Sequence, residues 1–132
     1  MRAAGTFKVS SFVGAEIAPA KPEIATALPV GVATLEKQYE GAVSGRSTTL
    51  FTAAFDQERG IGSYVAMESF EGTLDGVSGT FNFAHAATTS GSDRTHEYFL
   101  IVPSSETGDL AGIRGAGGLT NQHGVWFEYE LG

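Results

Sequence analysis

Apolar and polar residues alternate with period two along almost the whole chain, marking eight candidate strands: Thr6–Val13, Val32–Ala42, Arg46–Asp56, Gly62–Thr73, Val77–Thr88, Arg94–Val102, Gly108–Arg114 and Gly124–Leu131. Short Gly/Ser/Asp turns separate most of them, and no stretch carries the spacing of a long amphipathic helix. Ala15–Gly31 breaks the pattern. It holds Pro19, Pro22 and Pro29, which lack the amide donor a central strand needs, so it reads either as a connection covering one end of the fold or as a surface loop. The other turns are hairpins in sequence order. The expected fold is therefore all-β, a closed eight-stranded antiparallel up-and-down barrel rather than a sandwich.

One segment is echoed. Tyr39-Glu40-Gly41-Ala42-Val43-Ser44-Gly45-Arg46-Ser47 returns 31 positions later as Phe70-Glu71-Gly72-Thr73-Leu74-Asp75-Gly76-Val77-Ser78, and Gly108-Asp109-Leu110-Ala111-Gly112 repeats the Gly-x-aliphatic-x-Gly centre. Ser44-Gly45 and Asp75-Gly76 are hairpin-turn dipeptides, while Gly41 and Gly72 fall late in strands, where glycine marks a bulge or bend. The echo predicts either repeated barrel corners or one turn chemistry used twice.

Centring a two-residue turn on Asp75-Gly76 sets Phe70 opposite Phe81, Glu68 opposite Phe83 and Ala66 opposite His85. Glu68 and His85 become diagonal neighbours on one face, with Cβ atoms about 7–8 Å apart. In an apolar lumen such a pair suits proton transfer, so Glu68 and His85 are the candidate catalytic residues; mutual satisfaction or an outward-facing position are the plainer readings. Lys37 is the counterpart of Glu68 in the echo, predicting either an opposite charge across the lumen or a lysine reaching out at the rim. With a turn at Ser44-Gly45, Phe51 and Phe55 fall on the face opposite Tyr39; a three-residue loop with a bulge would reverse this, and otherwise they form an outer contact surface.

Composition narrows the chemistry. The 132 residues suit one domain, residues 1–132, and 18 glycines agree with a fold rich in turns. Cysteine is absent, which removes disulfides and thiolate sites. Eight basic residues, spread singly, against fifteen acidic ones give a net charge of −7 and argue against nucleic acid. No apolar run approaches the roughly 20 residues of a membrane span, and MRAAGTFKVSSF lacks the apolar core of a signal peptide, so a cytoplasmic location is expected. His85, His96 and His123 lack ligand spacing, so no metal or other cofactor is expected. Trp126 alternates onto the acidic, outer face of the last strand, suiting an oligomer interface. The glycine-rich Gly108–Gly118 lacks the Lys-Ser/Thr ending of a phosphate loop.

Three stretches, Glu68-Ser69-Phe70-Glu71-Gly72-Thr73-Leu74-Asp75-Gly76-Val77-Ser78-Gly79-Thr80-Phe81 with His85, Val102 to Gly118, and the closing Glu128-Tyr129-Glu130-Leu131, resemble an uncharacterised bacterial domain-of-unknown-function family. The resemblance runs from Gly5 to the C-terminus. Ser104-Ser105-Glu106-Thr107-Gly108 departs from the family, where glycine more often precedes a Ser-Gly-Thr-Gly run. The resemblance implies a closed barrel similar to allene oxide cyclase and the dirigent proteins, which handle small apolar molecules in the lumen and form oligomers. It carries over no activity and no catalytic residue.

Two functions compete. The first is a lumen lined by Lys37, Tyr39, Phe70, Phe81, Phe83, Phe127 and Tyr129, binding a small apolar molecule and acting on it as an isomerase or cyclase through Glu68 and His85. The second is a non-enzymatic homo-oligomeric scaffold, dimer or trimer, with a filled interior. A cavity of about 300 Å³ or more separates them.

Overall fold

Nine strands form in the computed structural model, which describes residues 1–18 and 21–132; Pro19 and Ala20, within the expected connection, lie outside the described residues. They are β1 Arg2–Ala15, β2 Gly31–Gly41, β3 Val43–Asp56, β4 Ile61–Leu74, β5 Val77–Ser90, β6 Asp93–Ile101, β7 Thr107–Gly108, β8 Arg114–Leu119 and β9 Gly124–Glu130. All pair antiparallel in one sheet of order β4-β3-β2-β1-β9-β8-β6-β5-β7, and an added β4–β5 ladder closes eight of them into a ring. The ring is uneven. Long ladders join β1 through β5, whereas β6 and β8 share the single pair Leu100↔Ala116. Two-residue β7 extends the β6 side of β5 at Gly79 and Thr80.

The β4–β5 hairpin has the expected register, with Asp75 (φ 50°) and Gly76 (φ 81°) in the left-handed region that this two-residue turn requires. The preceding hairpin differs. Tyr39 pairs with Gly45 and Lys37 with Ser47, so the chain reverses around Ala42 and Ser44-Gly45 lies inside β3. This register brings Phe51 to the face of Tyr39 and Lys37.

Gly108–Arg114 is also corrected. Only its two end residues are in strands, Gly108 in β7 and Arg114 in β8; between them a turn sends Leu110 and Ile113 into the interior. That turn explains the echo. Its three aliphatic centres, Val43, Leu74 and Leu110, are each 0% exposed at the same end of the ring, where Asp75 N donates to Ala42 O and Asp109 N to Ser78 O. They plug it.

Above the plug lies a packed aromatic core. Phe83 stacks on Phe99 with ring centroids 4.6 Å apart, and Phe127 meets Phe81, Phe83 and Phe99 edge-on. Towards the other end two bulges change the phase of alternation. Ser10 is the extra residue of β1, so Phe7 and Val9 face inward and then Phe12 does. His96 and Glu97 of β6 together oppose Ala87, so Arg94 and Glu97 both turn towards the interior. The described part of the connection, residues 16–18 and 21–30, forms no helix and leaves Ile17, Ile24 and Val30 exposed. Among the described residues no helix is long and apolar enough to cross a membrane.

Candidate functional site

Between the aromatic core and the unplugged end the ring holds a cavity of about 350 Å³. Phe7, Val9, Leu35, Phe51, Ala66 and Leu119 make its apolar wall. Lys37, Thr49, Tyr64, His85 and Arg94 supply inward polar groups, and Asn121 and His123 stand at its edge. Other depressions of comparable size, about 390 and 370 Å³, lie elsewhere. The first sits on the outward, charged side of β2–β4, around the exposed Arg46–Glu71 pair.

Glu68 is 1% exposed, and three donors hold it: Lys37 Nζ reaches Oε1 at 2.9 Å, while Ser47 Oγ (2.5 Å) and the Tyr39 hydroxyl donate to Oε2. Burial, then the Glu68 charge and its hydrogen bond, push the Tyr39 phenol far above its usual range, so it stays a donor. Lys37 is 7% exposed, its ammonium 4.9 Å above the Phe7 ring; it is no rim lysine. A buried ion pair persists only where further hydrogen bonds support it, as Ser47 and Tyr39 do for this carboxylate.

His85 belongs to a separate network. Its Nε2 stands 2.8 Å from Glu97 Oε2 and 3.3 Å from the Tyr64 oxygen. One nitrogen cannot donate to the first and accept from the second. The shorter, charge-assisted contact makes Nε2 the protonated nitrogen. Arg94 Nε donates to the same Tyr64 oxygen at 3.1 Å. Burial is the main force holding the imidazole below its usual value; the Glu97 hydrogen bond and charge oppose it, and Lys37 and Arg94 add to it. Burial raises the Tyr64 phenol, against the pull of Arg94.

The expected pairing of Glu68 with His85 therefore does not form. Both are buried on one face, but each is held by other groups: Glu68 by Lys37, Tyr39 and Ser47, His85 by Glu97. The expected lining is corrected as well. Of its seven residues only Lys37 borders the cavity, whereas Tyr39, Phe70, Phe81, Phe83, Phe127 and Tyr129 belong to the packed core. Trp126 is half-buried, covered by the Arg2 guanidinium 4.8 Å above its ring.

The residues missed by sequence reasoning are Thr49, Phe51, Tyr64, Arg94 and Glu97. Tyr64 was within reach of the period-two rule, two positions before Ala66 on the same face. Thr49 and Phe51 needed the hairpin centred on Ala42, and Arg94 and Glu97 needed the β6 bulge.

A family model described as "Protein of unknown function (DUF3224)" matches residues 3–132. The crystal structure of a protein of unknown function from the DUF3224 family of Shewanella oneidensis MR-1 is similar in fold, with a TM-score of 0.83 and 24% identity over 100% of this chain and 98% of that one. No curated protein matches.

Proposed function

The chain belongs to the DUF3224 family of proteins of unknown function, and from that premise we propose that it binds a small, mainly apolar molecule in the open half of its ring. The observation that supports this is the contrast between the two halves. One end is plugged and packed with aromatic rings, whereas the other holds an open cavity of about 350 Å³ with an apolar wall and a few inward polar groups. That volume lies at the small end of the range for ligand sites. The closed, sequential ring also supports the relation to allene oxide cyclase-like barrels as part of this proposal. Isomerase or cyclase chemistry through Glu68 and His85 loses its support, because the two do not meet.

The neutral dye N-phenyl-1-naphthylamine tests the reading. Native protein is expected to enhance its fluorescence, and Ala66→Phe, which fills the cavity from β4, to abolish the enhancement while keeping cooperative unfolding. A native protein that leaves the dye dark, or an Ala66→Phe variant that binds as before, overturns it.

A second reading, assembly with a copy of itself, has its own observation. On the outer face, the cross-strand rows Leu50–Met67–Ala84–Leu100 and Thr52–Val65–Ala86–Tyr98 lie side by side without a charge. Leu50 and Val65 are each 64% exposed. A chain of net charge −7 meets its own copy at least cost where its surface lacks carboxylates.

A further inference from the structure

The cavity's polar groups are not balanced in sign. The chain carries fifteen acidic residues and eight basic ones, yet among the described residues no carboxylate side chain lines the cavity, while Lys37 and Arg94 both do. The counter-charges do not line it, although Glu68 is the cross-strand partner of Thr49 on β4. Glu68 lies against Lys37 on the side of the packed core, and Glu97 lies against His85 and Arg94 and borders the neighbouring depression, which Arg94 borders too. Of each pair only the basic member lines the cavity, and only one of the three Lys37 ammonium donors is committed to Glu68.

Thr49 supplies a second, independent sign. It is 2% exposed and lines the cavity, and its Oγ1 has no hydrogen-bond partner among the described residues. Native proteins rarely leave such an atom unsatisfied without a reason. Thr49 pairs with Leu35 and Lys37 with Ser47, so Thr49 and Lys37 are diagonal neighbours on one face, one step towards the open end from the Tyr39 core. Polar donors thus form the floor, and apolar side chains form the wall above it.

We propose that the ligand is an amphipathic carboxylate, such as an aromatic or aliphatic acid, bound head-first. Its carboxylate accepts from Lys37 Nζ and Thr49 Oγ1 on the floor, and its apolar body lies against Phe7, Leu35, Phe51 and Ala66. The inference rests on the small-molecule reading above and adds the sign and the direction of entry.

Three probes sharing one ring system distinguish the two levels: 2-naphthoate, 2-naphthalenemethanol and 2-naphthylmethylammonium, titrated calorimetrically into the full chain at neutral pH and low salt. The expected result is that naphthoate binds at least tenfold more tightly than the ammonium probe. Thr49→Val keeps the shape but removes the hydroxyl; it is expected to weaken naphthoate by about tenfold, as loss of a hydrogen bond to a charged group does, and to leave the alcohol bound within about twofold. Equal affinity for the three probes, tightest binding of the ammonium, or a Thr49→Val variant with unchanged naphthoate affinity overturns the carboxylate assignment while the small-molecule reading stands. Failure of all three to bind overturns both.

Discussion

Glu68 sits where a carboxylate is tolerated only because three neighbours donate to it, and Lys37 is buried only because Glu68 is there. Removing one partner of a buried pair leaves the other charged and unmatched, at a cost of roughly 3–5 kcal/mol. Glu68→Gln is expected to lose about 3 kcal/mol in urea unfolding, and adding Lys37→Met is expected to recover most of it, since that removes the orphaned ammonium. A loss below about 1 kcal/mol in the single variant would mean that the pair contributes no more than an ordinary hydrogen bond. The echo placed Lys37 and Glu68 at matching positions of their strands, so this contact was legible in part. The choice of Lys37 over His85 as partner was not. Both lie within side-chain reach of Glu68 by register, and only the positions of Glu97 and Tyr64 decide that His85 is held elsewhere.

Strands carry a second constraint, written in glycine. Gly45 pairs with Gly72, and Gly72 with Gly79, so three neighbouring strands approach closely near the plugged end. A Cβ on Gly72 would stand 2.0 Å from the Ser44 carbonyl oxygen, a backbone atom with no freedom to withdraw. Gly72→Ala is therefore expected to cost about 3 kcal/mol or more by forced overpacking. Gly14→Ala, where nothing lies within 4 Å, is expected to stay within about 0.5 kcal/mol of the parent. Thermal unfolding of the two variants side by side tests this; equal midpoints would show that the strands do not approach so closely. The glycines were visible as a repeat, but the aliphatic residue between them is the part that fills space. The two bulges were invisible, because an extra residue at Ser10 or at His96-Glu97 changes no local composition and only displaces which neighbours face inward.

At the scale of the whole molecule, the ring turns its apolar residues both ways. The inward set builds the plug and core, while Leu50, Val65, Met67, Tyr98 and Leu100 remain on the outer face at 40–64% exposure. Contiguous exposed apolar surface of this kind marks an interaction site. Sedimentation equilibrium is expected to give twice the 13.8 kDa chain mass, and Leu50→Lys/Met67→Lys, both directed outward, is expected to give the monomer with unchanged far-ultraviolet circular dichroism. A parent protein that sediments as a monomer at tens of micromolar would set self-assembly aside.

Period-two alternation, the Asp75-Gly76 turn and the order of the hairpins are local properties, and the sequence by itself determined them: an all-β chain, the β4–β5 register, and the placing of Glu68 and His85 on one face. Which part of the interior is solid and which is open depends on contacts between residues far apart in sequence. Leu110, Leu74 and Val43 converge on one end only when the ring closes, and Tyr64, Thr49 and Arg94 meet at the other only when β3 takes its register from the hairpin centred on Ala42 and the β6 bulge turns Arg94 inward. Closure and phase are sums over all the strands, so the cavity and its polar floor were decided by the tertiary structure.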